Sequence, residues 1–381
     1  MIGTFLRLFG LLGLGFLLFG EVPAFAYPDM VRHGYTNCTS CHVSPTGGGT
    51  LTPYGRQLSR EVLSTWAYEG EEKPAYFINS PDWLDLGGDY RSAYYYENTP
   101  KLEQGQYQFM QLDLEAAANY KAFTFDASAG YQDPAAPNTA RDYLISRTHY
   151  VMYHATDQLA LRFGRFFPAY GIQTPNHALL IRDTLNIHEP EPLGDGESYN
   201  LEGSYIGDTY NVLVTGIFGR PDDPSVQRDI GASVVVSRAL GDSSKVGLSY
   251  LYGTNDLQKR NVIGPYGMLG FTQHFYLLTE MDFQALTLKT APGYNPVEWG
   301  MAETSRLGYE IVQGLNFIID QEFARTQFAN PNTLEQRYGA GIWWFPRPHL
   351  EASLEYQQRQ NKGMGYSDFY DYIYFLWHIY I

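Results

Sequence analysis

Five consecutive residues, Cys38-Thr39-Ser40-Cys41-His42, carry the most specific chemistry in the sequence. Two thiols at this spacing form thioethers to the two vinyl groups of one haem, and the next residue then presents its imidazole to the iron. A redox disulfide, a zinc half-site and chance are the competing readings. A thioredoxin-like disulfide needs a βαβ context that the flanking sequence lacks, and structural zinc needs further ligands, whereas Cys38 and Cys41 are the only cysteines. So close together, they close no long loop, which makes their role chemical. The motif implies one covalent haem c on Cys38 and Cys41, with His42 as an axial ligand. For the second axial position the sequence offers His33, which is favoured, and Met30; methionine would raise the potential of the iron. A histidine facing into a barrel is a further option if the haem segment lies in the pore. Arg56, in Thr52-Pro53-Tyr54-Gly55-Arg56, has the planar guanidinium that matches a haem propionate, although an arginine opening a helix reads the same.

The flanking sequence has two textures. Residues 1–26 combine Arg7, an apolar run from Phe5 to Phe19 and the small-residue ending Ala24-Phe25-Ala26, the pattern of a secretory signal peptide cut after Ala26. Residues 27–80 are turn-rich, with Pro45-Thr46-Gly47-Gly48-Gly49, and contain one helical pattern. Leu58, Val62, Leu63 and Trp66 fall on one face, which predicts a single short amphipathic helix. So small a segment has too little core to fold alone, and a covalent cofactor would supply the missing apolar centre.

From residue 81 to 381 the period becomes two. Met110, Leu112, Leu114, Ala116 and Ala118 alternate with Gln111, Asp113, Glu115 and Asn119, and the same alternation recurs to the end of the chain. It predicts strands near 84–96, 106–120, 123–131, 141–156, 159–167, 197–207, 210–219, 228–240, 243–254, 259–272, 275–288, 297–312, 315–327, 334–345, 350–360 and 369–381. Tight turns such as Lys121-Ala122, Asp157-Gln158, Gly207-Asp208 and Gln313-Gly314 alternate with longer polar loops. The 32 Tyr, 22 Phe and 6 Trp beside 38 Gly suit aromatic girdles and a polar lumen better than a soluble sandwich or propeller. The expected fold is all-β, a sixteen-stranded antiparallel transmembrane barrel after a small N-terminal monohaem segment.

A formal net charge of −15 excludes nucleic acid as a natural partner and favours cationic guests. The alternation aims Asp89, Asp113, Glu115, Glu280, Asp282, Glu310, Asp320, Glu322, Glu351 and Glu355 into the lumen, with fewer arginines, Arg91, Arg147, Arg306 and Arg337. The longest connection, 168–196, joins the fifth and sixth strands and holds His177, Arg182, Asp183, His188, Glu189 and Glu191. It is either an external loop or, as in sixteen-stranded porins, one that folds inward.

The leader, the single Cys-x-x-Cys-His, the Thr-Pro-Tyr-Gly-Arg segment and the sixteen-strand pattern together resemble the fused monohaem cytochrome–porins of iron-oxidising bacteria. The resemblance implies a haem segment inside the barrel lumen. It also implies electron transfer between an extracellular donor, typically ferrous iron, and a periplasmic carrier such as a soluble cytochrome c, an iron:cytochrome c type of oxidoreductase. The corresponding location is the outer membrane, in contact with its lipid, with the N-terminus and short turns on the periplasmic side. A haem moored outside the barrel would not connect the two faces of an apolar band about 25 Å tall. Two other readings stay open: a diffusion or cation-selective porin with a structural or sensing haem, and the barrel partner of a multihaem conduit. No Gly-x-Ser-x-Gly elbow or His-Glu-x-x-His helix suggests hydrolysis.

Overall fold

The alternating segments become one closed antiparallel sheet. The computed structural model describes residues 28–131, 144–174, 179–185, 196–223, 228–289 and 296–381. The expected leader, residues 1–26, and His177, His188, Glu189 and Glu191 lie outside the described residues. The strands are β1 (Leu84–Asn98), β2 (Glu103–Tyr120), β3 (Phe123–Tyr131), β4 (Leu144–Ile145), β5 (His149–His154), β6 (Leu159–Phe166), β7 (Ser198–Ile206), β8 (Tyr210–Phe218) and β9 (Ile230–Ala239). They continue with β10 (Ser244–Thr254), β11 (Gln258–Gly270), β12 (Phe275–Leu288), β13 (Val297–Val312), β14 (Leu315–Arg325), β15 (Leu334–Arg347), β16 (Leu350–Asn361) and β17 (Tyr366–Tyr380). Pairing follows chain order, and β1 bonds to both β2 and β17, which closes the cylinder. Both β4 and β5 pair with β3, so the seventeen segments make sixteen staves.

The expected strand 141–156 is therefore interrupted, and the cause is local. The Ser128 hydroxyl accepts the Thr148 N–H at 2.9 Å, and Arg147 turns inward to Asp113, with Nε 3.0 Å from Oδ2. Elsewhere the two faces are cleanly sorted. Along β3, Phe123, Phe125 and Tyr131 are exposed outward while Thr124, Asp126 and Ser128 are buried inward. Among the described residues no helix is long and apolar enough to cross a membrane. Closure leaves no unpaired edge, so the apolar outer band meets the requirement for strands that face lipid.

Residues 28–83 lie at the rim formed by the short turns and reach the wall on all sides. Arg32 bonds the Gln273 carbonyl and Glu310 at 2.8 Å each; Lys245 Nζ bonds the Thr36 carbonyl at 2.7 Å; Arg162 bonds Ser44 Oγ at 2.8 Å. Ser59 Oγ and the Tyr380 hydroxyl are 2.9 Å apart, and Tyr76 donates to the Pro348 carbonyl. The predicted helix is shorter than expected. Helix α1 (Pro53–Leu58) runs into one wider turn, Ser59–Leu63, and stops. Leu58 and Leu63 are buried as expected, but Trp66 lies past the helix, because the rim captures the backbone: Thr65 N donates to Phe345 O and Trp66 N to Pro346 O. Trp66 instead packs edge-on against Trp344, on the outward face of β15.

The long connection folds inward. Ile172 N donates to Glu280 Oε2 at 2.8 Å, Leu180 N to Glu322 Oε2 at 3.0 Å, and Arg182 grips both oxygens of Glu280 at 3.0 and 2.7 Å. Its helix α2 (Leu180–Leu185) buries Leu180, Ile181 and Leu185 against Ile217, Leu251 and Val262 of the wall. A lipid-face charge should therefore be costly. Leu114→Arg on β2 is expected to lower the unfolding free energy by about 2–4 kcal/mol, read from urea titration of barrel refolded into vesicles.

Candidate functional site

The motif is held by a turn and a hairpin. Residues Cys38–Ser40 form a 3-10 turn in which Cys41 N and His42 N both donate to Cys38 O, at 3.1 and 2.9 Å. The chain then doubles back, with Val43 N bonded to Thr50 O and Thr52 N to Cys41 O. Gly47, Gly48 and Gly49 make the reversal with φ of +84°, +72° and +62°, a run of left-handed conformations that side chains would strain. Thr52 caps α1 by accepting Gly55 N at 3.1 Å, and Pro53 sits at its first position. Gly55 lies against the Cys41 backbone, where a Cβ would collide with the Cys41 carbonyl. The Thr-Pro-Tyr-Gly-Arg segment thus clamps the motif from behind.

Arg56 completes that clamp. It is 3% exposed and bonds the Leu51 carbonyl at 2.6 Å, the Leu86 carbonyl at 3.4 Å and Asp85 at 3.4 Å. These bonds tie Arg56 to β1, and it does not line the cavity described below. Met30 is also engaged elsewhere, in an apolar cluster with Leu63, Tyr276, Ile318, Trp343 and Phe345. His33 is half-buried beside Arg32 and does not line the cavity described next.

Cys38 and His42 line a cavity of about 300 Å³ between the N-terminal segment and the inturned connection. The volume falls at the lower end of ordinary ligand pockets. No disulfide joins Cys38 and Cys41. Cys41 packs with Leu51, Leu58 and Tyr380. Burial pushes the Cys38 thiol up, partly offset by the Lys245 ammonium. Burial also pulls the His42 imidazole down to about 4, against the backbone groups of Gly48 and Gly49, so the ring is neutral at pH 7. His42 Nδ1 is buried and meets no hydrogen-bond partner. Cys38 and the neutral His42 imidazole on the cavity, with the Cys41 thiol packed behind them, are residue types that fit a c-type haem. The opposite wall is apolar, with Leu213, Val235 and Tyr266 packed against Ala169 and Ile172, and Met268 beside them. Lys245 and Arg162 provide the cationic edge.

The lumen electrostatics differ from the expected acid funnel. The inward acids are where alternation put them, but arginines answer most of them: Arg32 pairs with Glu310, Arg182 with Glu280, Arg306 with Asp320 and Glu355, and Arg337 with Glu322. Glu351 pairs with His378 at 2.6 Å, and Asp89 with Arg91. Buried Arg162, Arg260 and Arg359, each at an inward position on its strand, were missed, and Arg165 is buried on the outward phase of β6 near Glu197. Arg32 and Arg182 belong to segments outside the strands, where no alternation exists to place them.

No family model matches the chain, and no characterised protein sequence does either. Solved structures do. A loop-L8 deletion mutant of the Vibrio cholerae outer-membrane protein OmpT superposes with a TM-score of 0.60 at 13% identity, covering 78% of this chain and 99% of that one. Pseudomonas putida OprB gives 0.58 at 10%, covering 78% and 94%, and an anion-selective porin from Comamonas acidovorans gives 0.56 at 11%, covering 78% and 99%. At such identities the likeness is one of fold, the porin barrel.

Two outcomes follow from the clamp. Gly55→Val should destabilise docking of the N-terminal segment by about 1–3 kcal/mol through overpacking against Cys41, seen as lost amide protection at Thr52 and Arg56. His349, in the β15–β16 turn under Tyr76 and Tyr380, is held down to about 4 by burial. The folded state therefore prefers the neutral ring, while the released state takes up a proton below about 6.5. Docking should be complete above that pH and lost as pH falls through 4. Amide protection factors at Thr65 and Trp66 should show the loss, and His349→Phe should flatten it.

Proposed function

We propose that this chain is an outer-membrane electron conduit. One covalent c-type haem on Cys38 and Cys41, with His42 as axial ligand, would pass electrons between an extracellular donor and a periplasmic carrier such as a soluble cytochrome c. The observation that supports it is the placement of Cys38 and His42 on one internal cavity, in a segment pinned around the short-turn rim. A bound haem supplies a reversible one-electron couple. The chain's own residues do the rest. Cys38 and Cys41 would hold it, Leu213, Val235 and Tyr266 would exclude water, and the Lys245 ammonium on the cavity would offer charge to a carboxylate. Met268 lines this cavity, where Met30 and His33 do not, and its thioether would be available as a second donor to a bound haem iron.

The site lies near the short-turn rim, so the donor from the long-loop side must be a solute that enters the lumen. Ferrous iron, implied by the resemblance to cytochrome–porins, meets that requirement. A lumen already occupied by two segments of its own chain leaves little room for a multihaem partner. The second reading, a diffusion porin with a structural haem, is favoured by the porin fold itself.

The test is a haem stain on a denaturing gel, with protein made in a host that matures c-type cytochromes. Wild type should stain and Cys38→Ala with Cys41→Ala should not, and ferrous iron should reduce the wild-type spectrum. Met268→Leu should keep the stain and lower the midpoint potential. An unstained wild type that conducts ions in planar bilayers would replace the conduit with the porin.

A further inference from the structure

The outer face of the barrel carries a polar row where lipid chains would be. Along β13 the outward residues read Trp299, Met301, Glu303, Ser305, Leu307 and Tyr309. Trp299 and Tyr309 are exposed aromatics ten residues apart, which at the usual rise and tilt spans about 25 Å, the height of the apolar band. Glu303 and Ser305 therefore sit at its middle. Their neighbours extend the polarity sideways: Ser305 is paired directly with Thr279 on β12 and with Gln321 on β14. Thr279 Oγ1 and Ser305 Oγ are 2.8 Å apart, Ser305 donates to Glu303 Oε1 at 2.5 Å, and Gln321 Nε2 donates to Glu303 Oε2 at 3.0 Å. On other staves outward positions such as Leu114, Val151, Phe163, Val214, Leu248 and Phe375 are apolar and exposed.

Hydrocarbon offers no partner for such groups, and an ionisable side chain at mid-depth is costly unless protein covers it. Glu303 is 8% exposed, covered by its own neighbours, but Gln321 is exposed and spends one N–H on Glu303. Its carbonyl oxygen and second N–H remain for a group outside the barrel. A carboxamide is self-complementary, since two of them exchange N–H···O bonds in both directions. The hydroxyls of Thr279 and Ser305 likewise both donate and accept.

We propose that the row Thr279, Ser305, Glu303 and Gln321 is the surface through which a second copy of this chain packs against the barrel within the bilayer. A covering wall must present donors and acceptors at mid-depth, and this row itself supplies both. Identical chains share one membrane, and closed symmetric association brings like surfaces together.

The experiment uses full-length protein in native membranes. Ser305→Cys should cross-link with a short bifunctional thiol reagent into a species of twice the chain mass. Val151→Cys, on the outward face of β5 across the barrel, should not. In lipid nanodiscs the wild type should be oligomeric and Glu303→Leu with Gln321→Leu monomeric, while that variant keeps the heat-modifiable gel mobility of a folded barrel. A monomeric wild type, or equal cross-linking at both positions, would overturn the proposal. So would a cross-linked product whose mass is not a multiple of this chain, which would assign the row to a foreign membrane partner.

Discussion

The carboxylates on the inner wall have to be neutralised by groups the barrel itself encloses. A closed sheet in lipid turns its polar face inward, and an unpaired charge buried there costs several kcal/mol. Guanidinium groups from three sources meet that demand. Arg306 and Arg337 come from the wall, Arg182 from the inturned connection and Arg32 from the N-terminal segment. The last two are structural cross-braces: each anchors a non-strand segment by giving it the countercharge of a wall glutamate. Where the segments dock, apolar residues complete the fit, as Met30 and Leu63 do against Tyr276, Ile318, Trp343 and Phe345.

That arrangement explains why the Cys-x-x-Cys-His turn is presented inside the molecule. Residues 34–52 hang between anchors, Arg32 on β13 and the 271–274 turn at one end and Arg56 on β1 at the other. Lys245 and Arg162 hold the loop between them from the opposite wall. The cavity is what remains between this loop and the inturned connection, and its apolar side is a patch of wall that neither segment fully covers. An N-terminal segment too small to make its own core thus borrows one from the barrel. The conduit reading draws its strength from that geometry, whereas the porin fold alone is compatible with either function.

Composition and period were enough for the barrel, because the strand pattern is local. Alternation follows from the two-residue pleat, so the strands, apart from the break between Ile145 and His149, and the inward acids could be placed from neighbouring residues alone. The spacing of Cys38, Cys41 and His42 is likewise a property of one turn. Even the inward Arg162, Arg260 and Arg359 were legible, had the alternation been applied to cations as closely as to acids. The outward Glu303 was legible in the same way, as a polar residue on the apolar phase of β13.

Tertiary structure decided the partners. The sequence around Arg56 names no partner for its guanidinium, and the position of β1 brings Asp85 to it. Met30 and Met268 are chemically equal thioethers, but one is sealed among aromatic rings and the other lines the cavity. Trp66 fits a helical face by spacing, yet the rim takes up its backbone and turns it outward onto Trp344. In each case the deciding contact joins residues far apart in the chain, and their closeness is set by closure of the whole barrel, which no local pattern encodes.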